Sequence, residues 1–226
     1  MQRFQPLVGR LALVLTALSW LFAVAATPAS AEVPAAEGEP IQIVALGDSL
    51  TQGYGVDPGK AFPEQLQAAL REDGMNVVVE NAGVSGDTTS GGLSRLDWSV
   101  PDTADLVIVE LGANDALRGI APEITRKNLD EILRRLTERG QKVVFAGMLA
   151  PPNMGADYGR TFNAIYPELA KKYPVTFYPF FLEGVAAESD LNQADGMHPT
   201  AEGVEKIVAS MKPVIEKALS SETASQ

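Results

Sequence analysis

The chain has 226 residues, with 29 acidic side chains against 18 basic ones, a formal net charge of −11, no cysteine and a single histidine. Disulfides, thiol ligands and cysteine nucleophiles are therefore excluded, and a three-ligand zinc site would have only one imidazole to draw on. Such an acidic surface repels phosphate backbones and anionic lipid, which argues against nucleic-acid binding and electrostatic membrane docking.

The N-terminus has the three parts of an export signal. Arg3 and Arg10 are followed by an apolar run over 11–26 and by Ala29-Ser30-Ala31, an A-x-A cleavage site before Glu32. Residues 1–31 are read as a signal peptide that leaves the mature protein periplasmic or secreted, without stable membrane anchoring. The apolar run is short for a spanning helix, and an uncleaved anchor is the alternative. The leader carries two of the basic residues and no acidic one, leaving 16 against 29 in the other 195 residues. That length fits one well-cored domain, here 41–219. A disordered lead-in over 32–40 and a disordered polar tail over 220–226 flank it.

Short apolar, β-branched runs at 41–46, 76–80, 105–111, 142–148 and 175–178 predict buried strands of a parallel sheet. Helical stretches at 62–73, 87–97, 122–139, 158–172 and 200–219 alternate with them, some closed by Gly74 or Gly140, which predicts a three-layer αβα sandwich. In the stretch 122–139, Glu123 with Lys127, Lys127 with Glu131, Asp130 with Arg134 and Glu131 with Arg135 stand at i,i+4. Ile124, Ile132, Leu133 and Leu136 supply the apolar spacing. The pattern is a solvated face over a packed one.

Ligands on open parallel sheets bind beyond the carboxyl ends of the strands. Three segments fall there. Gly47-Asp48-Ser49-Leu50 follows the first strand, at a turn that can lift a serine hydroxyl to the rim in the field of a helix N-terminus. Asn81-Ala82-Gly83-Val84-Ser85-Gly86-Asp87-Thr88-Thr89 follows the second and offers outward amide N–H groups. Gly112-Ala113-Asn114-Asp115 follows the third; its Asn114 amide, with an amide of the second segment and the Ser49 N–H, would make an oxyanion hole. Each segment alone is equally a cap or a turn. Near the C-terminus, Asp195 stands three residues before His198, close enough to fix the tautomer of the one imidazole and stabilise its charged form.

Taken in order, Gly-Asp-Ser-Leu, Gly86, Asn114 in Gly-x-Asn-Asp and Asp195-x-x-His198 resemble the GDSL, or SGNH, hydrolase family over about 41–218. Val84-Ser85-Gly86-Asp87-Thr88, Val109-Glu110-Leu111-Gly112, Leu117-Arg118-Gly119, Ile165-Tyr166-Pro167 and Pro179-Phe180-Phe181 are similar to its bacterial thioesterase I, arylesterase and lysophospholipase branch. The resemblance implies a flavodoxin-like sheet of order 2-1-3-4-5. It implies Ser49 as nucleophile, His198 and Asp195 completing the triad, and Gly86 and Asn114 as oxyanion donors. The substrates it implies are small acyl esters or thioesters, fatty or aryl, hydrolysed through an acyl-enzyme by a monomer that needs no cofactor and no metal.

Leu117, Ile120, Leu149, Met154 and Tyr158 are apolar candidates for an acyl groove, each also explicable as ordinary packing. The loop 150–155 looks longer than its counterpart in the family and is expected to border that groove. Asp48 and Asp115 are read as capping or supporting groups. A Rossmann site is excluded because Pro58 stands where a third glycine should follow Gly53-x-Gly55, and no Gly-x-Ser-x-Gly elbow marks an α/β-hydrolase. A carbohydrate O-acetyl esterase of the same fold and a non-catalytic binding module are the alternatives.

Overall fold

The computed structural model describes residues 38–221 together with Met1. The predicted leader beyond Met1, and most of the predicted lead-in and tail, lie outside the described residues. Strands β1 (Ile41–Gly47), β2 (Val77–Gly83), β3 (Leu106–Glu110), β4 (Lys142–Ala146) and β5 (Thr176–Tyr178) form one parallel sheet in the order β2-β1-β3-β4-β5. This is the order implied by the family resemblance. The short α1 (Ser49–Gln52) and α2 (Phe62–Glu72) follow β1, and α3 (Thr89–Ser94) and α4 (Leu96–Ser99) follow β2. After β3 come α5 (Ala113–Leu117) and α6 (Pro122–Glu138), after β4 come α7 (Ala156–Asn163) and α8 (Ile165–Lys172), and α9 (Ala201–Ser220) follows β5.

The runs Ile43 to Leu46 and Leu106 to Val109 are buried throughout, as strands covered on both faces must be. One layer is α2 packed on β2 and α9, with α9 reaching β4 and β5; the other is α6 packed on α3, α8 and β4. On α2, Phe62, Leu66 and Leu70 recur every four residues and are fully buried, each contributing about 1.5–3 kcal/mol. Pro63 in its first turn loses no intrahelical bond, because the N–H groups there have no partner in any case.

Two predicted helices are each broken in two. The stretch 87–97 becomes α3 and α4, with Arg95 between them at φ −102°, ψ 5°. Gly91 and Gly92 weaken helix formation, and Asp87 lies outside the helix, where it pairs with Arg95 at 2.6 Å. The stretch 158–172 breaks at Ala164, because Pro167 has no N–H to give the Asn163 carbonyl. On α6 the predicted i,i+4 pairs give way to others. Arg134 binds Glu131 and Glu138, Arg135 reaches Asp97, and Asp130 holds Lys172 at 2.5 Å and the Tyr173 hydroxyl at 2.9 Å. Tertiary partners thus replace the helical neighbours of Asp130 and Arg135, whereas Arg134 keeps its partners along the helix, and Ile124 is exposed, not packed.

Candidate active site

β1 lies between β2 and β3, so successive crossovers leave it in opposite directions and the loops at the carboxyl ends part into a crevice. Asp48 caps α1 there, its Oδ1 accepting the Leu50 N–H at 3.0 Å, which makes Ser49 the first residue of the helix. The turn depends on close backbone approach. A Cβ at Gly47 would strike Thr51 and Glu110, and one at Gly83 would strike the Gln52 backbone. Arg95 ties the two strand ends together, donating to the carbonyls of Gly47 and Ala82 at 2.8 Å each, as well as to Asp87 and Ser99.

His198 arrives from a tight loop closed by the Asn192–Pro199 bridge, by the Gln193 N–H donating to the His198 carbonyl at 2.7 Å, and by Gly196 at φ +69°. Gln193 also donates to the carbonyls of Tyr54 and Pro199, pinning this loop to the segment after α1. Asp195 holds both the backbone and the ring of His198. Its Oδ1 accepts the N–H groups of Met197 and His198 at 2.9 and 3.0 Å, and its Oδ2 accepts Nδ1–H at 2.6 Å. The imidazole beside it and these two amides hold the Asp195 carboxyl at about 2, well below the usual carboxylate range. A carboxylate can only accept, so the proton of the neutral ring sits on Nδ1 and Nε2 is left as the acceptor. Nε2 lies 2.9 Å from Ser49 Oγ, in line to receive its hydroxyl proton. Tyr54 tilts over the imidazole with ring centroids 4.6 Å apart.

Asn114 donates one Nδ2–H to Asp48 Oδ2 at 3.0 Å, which leaves its second N–H for an oxygen in the crevice. Gly86 adopts φ +81°, a conformation that favours glycine, and Arg118 donates to its carbonyl at 2.6 Å. The Gly86 loop is tied to the Ser49 turn by the Val84 N–H on the Gly47 carbonyl at 3.1 Å. Asp115 joins the second and third loops from below. It is fully buried and accepts the Thr89 N–H at 2.8 Å, the Thr89 hydroxyl at 2.5 Å and the Thr125 hydroxyl at 3.0 Å. Asp48 is equally buried, and desolvation raises its carboxyl to about 6 against the opposing pull of the Leu50 and Asn114 donors.

A cavity of about 250 Å³ opens beside Ser49, with Asn114 and His198 on its walls. Leu117 and Leu149, two of the acyl-groove candidates, line it. Ile120, Met154 and Tyr158 do not: the Tyr158 hydroxyl donates to the Ile120 carbonyl at 2.8 Å, and Met154 lies against Gly119. Met148, Pro151, Leu182, Ala186, Ala187 and Met197 add to the apolar wall, so part of the loop 150–155 does border the cavity. Most of these sit in irregular segments with no periodicity to mark them. Ala187, at φ +66°, is the only non-glycine residue of positive φ among those described. A larger open depression of about 600 Å³ lies at Asp97, Val100, Asp102 and Arg139, near the amino ends of β3 and β4, and contains no nucleophile. Among the described residues no acidic or histidine cluster has metal-binding geometry, and no helix is long and apolar enough to cross a membrane.

A family model described as the GDSL-like lipase/acylhydrolase family matches residues 45–206. The chain is 42% identical over 162 residues to an arylesterase of Vibrio mimicus, covering 71% of this chain and 81% of that protein. It is 35% identical over 178 residues to the esterase TesA of Pseudomonas aeruginosa, covering 78% and 89%. Among solved structures it is similar to AlinE4, described as an SGNH-hydrolase family esterase, with a TM-score of 0.68, 50% identity and coverage of 81% of this chain and 99% of that one.

Proposed function

The chain belongs to the GDSL-like lipase/acylhydrolase family and is a serine ester hydrolase acting on small-molecule esters, and from that premise we propose that Ser49 is its nucleophile, with His198 as base and Asp195 as the group that orients it. The observation that carries this reading is the continuous relay from Ser49 Oγ to His198 Nε2 at 2.9 Å and from Nδ1 to Asp195 at 2.6 Å. As Ser49 Oγ attacks the acyl carbonyl, its proton passes to Nε2 and the imidazolium is stabilised by the Asp195 carboxylate. The carbonyl oxygen, now anionic, is received by the N–H groups of Ser49 and Gly86 and the second N–H of Asn114. His198 then gives the proton to the departing alkoxide or thiolate. A water molecule, deprotonated by the same nitrogen, releases the acid from the acyl-enzyme.

The acyl chain of the substrate occupies the cavity beside Ser49, whose apolar walls favour fatty acyl or aryl groups over acetyl alone. The enzyme acts as a monomer after export, with cleavage following Ala31. Hydrolysis of p-nitrophenyl esters from acetyl to palmitoyl tests the reading, with Ser49→Ala and His198→Ala alongside. Turnover of octanoyl or longer esters, abolished by both substitutions, is the expected result. Turnover confined to acetyl would point to a carbohydrate O-acetyl esterase, and ligand binding without turnover to a binding module.

A further inference from the structure

Directly beneath the nucleophile turn lies a second carboxyl group that the mechanism above does not use. Glu110, the last residue of β3, is fully buried. Its Oε2 accepts the Thr51 hydroxyl at 2.8 Å and, more weakly, the Asp48 N–H at 3.4 Å, so it grips α1 on both sides of Ser49. Its Oε1 is buried without any hydrogen-bond partner. Asp48 is the carboxyl group beside it, Arg95 donates to the Gly47 carbonyl and His198 meets Ser49 on the crevice side, and Tyr166 of α8, whose hydroxyl donates to the Leu111 carbonyl, approaches from behind. Among the described residues no Lys, Arg or His forms an ion pair with Glu110.

Two neighbouring carboxylates with no cation between them cannot both ionise cheaply in a desolvated site, so one keeps a proton. The donors decide which. Asp48 has a donor on each oxygen, Leu50 N–H and Asn114 Nδ2–H, whereas an anionic Glu110 would leave Oε1 with none. We propose that Glu110 is a positioning residue that stays protonated in the folded enzyme, so that the single negative charge of the pair rests on Asp48, where it orients Asn114 and the Ser49 turn. Glu110 touches neither substrate nor the reacting atoms; it acts through Thr51 and Asp48.

Burial, with the Asp48 charge adding to it, holds the Glu110 carboxyl well above its usual range. In the unfolded chain a glutamate ionises near about 4.3, so above that pH folding takes up a proton. The contribution to stability is complete below that pH and declines as pH rises toward the folded-state value. Glu110→Gln keeps an acceptor for Thr51 and removes the titration.

The test is an infrared difference spectrum of wild type against Glu110→Gln at pH 8, where Asp48 is ionised, read together with kcat and thermal midpoints. A protonated-carboxyl carbonyl band present in the wild type and missing from Glu110→Gln is expected. The melting advantage of Glu110→Gln over wild type should grow from pH 5 to pH 8. Its kcat should stay within about threefold of wild type, while Glu110→Ala loses about tenfold or more with KM little changed, the scale of one lost buried hydrogen bond. Absence of the band, or an equal loss in the two variants, would overturn the proposal. The infrared arm needs no activity and so decides the matter even if Ser49 were not the nucleophile; it also decides it if Glu110→Ala fails to fold.

Discussion

Replacing Asp195 by Asn is isosteric, yet it should disable the imidazole, and the loop geometry gives the size of the effect. Asp195 offers one oxygen to two backbone N–H groups, at 2.9 and 3.0 Å, and the other to His198 Nδ1–H at 2.6 Å. An asparagine has one acceptor oxygen and one donor NH2. If its oxygen stays with the backbone pair, its NH2 faces Nδ1 and the ring proton moves to Nε2, where it blocks transfer from Ser49. The flipped rotamer restores the tautomer but sets the NH2 against two N–H groups, orphaning both at about 1–3 kcal/mol each, or about 2–6 kcal/mol in all. About a third of the Asp195 side chain is solvent-exposed, so water softens this toward about 2–4 kcal/mol. The productive tautomer then falls by about 30- to 1000-fold, and kcat/KM with it. Initial rates on p-nitrophenyl octanoate at pH 8 measure this directly. A variant within tenfold of wild type, with an unchanged melting temperature, would refute the claim that Asp195 sets the tautomer.

Other outcomes follow from the same geometry. Activity should be lost in acid and recovered toward alkaline pH, because an imidazolium at His198 cannot take the Ser49 proton while Asp195, held at about 2, stays charged throughout. A flat kcat/KM between pH 4 and 9, with chemistry limiting, would contradict this. Asp115→Ala strips the acceptor from three buried donors, and urea denaturation should show a loss of about 3 kcal/mol or more; a loss under about 1 kcal/mol would mean that Asp115 does not tie the second and third loops together. Leu149→Trp and Ala186→Phe each fill part of a cavity of about 250 Å³ and should move the preferred acyl length toward shorter chains. An unchanged chain-length profile in both would remove the cavity from the acyl-binding role.

What could be read in advance was whatever rests on local chemistry. Parallel strands buried on both faces leave continuous apolar runs, and those at 41–46 and 142–148 mark strands to within a residue or two. Asp195 and His198 are legible because their contact is made within one loop, and Ser49 because the turn needs a glycine before it. The breaks at Arg95 and Ala164 were harder to see. The first follows from a guanidinium drawn to carbonyls 13 and 48 residues away, although Pro167 was a usable signal for the second. The i,i+4 spacing points Arg135 and Asp130 to neighbours along α6, whereas tertiary packing gives them Asp97 and Lys172. The cavity wall was only partly foreseen. Ile120 and Tyr158 bond to each other outside it, while Leu182, Ala186 and Ala187 come from an irregular stretch whose placement depends on the path after β5.

The central claim is that Ser49 Oγ attacks the acyl carbon. It is tested most directly by intact and peptide mass measurement after treatment with a p-nitrophenyl alkylphosphonate, in which a serine oxygen forms a bond to phosphorus as p-nitrophenolate leaves. One adduct per chain, located on Ser49 and abolished by Ser49→Ala in parallel with esterase activity, is the predicted result. Full esterase activity in Ser49→Ala, or a stoichiometric adduct on another residue, would contradict the account.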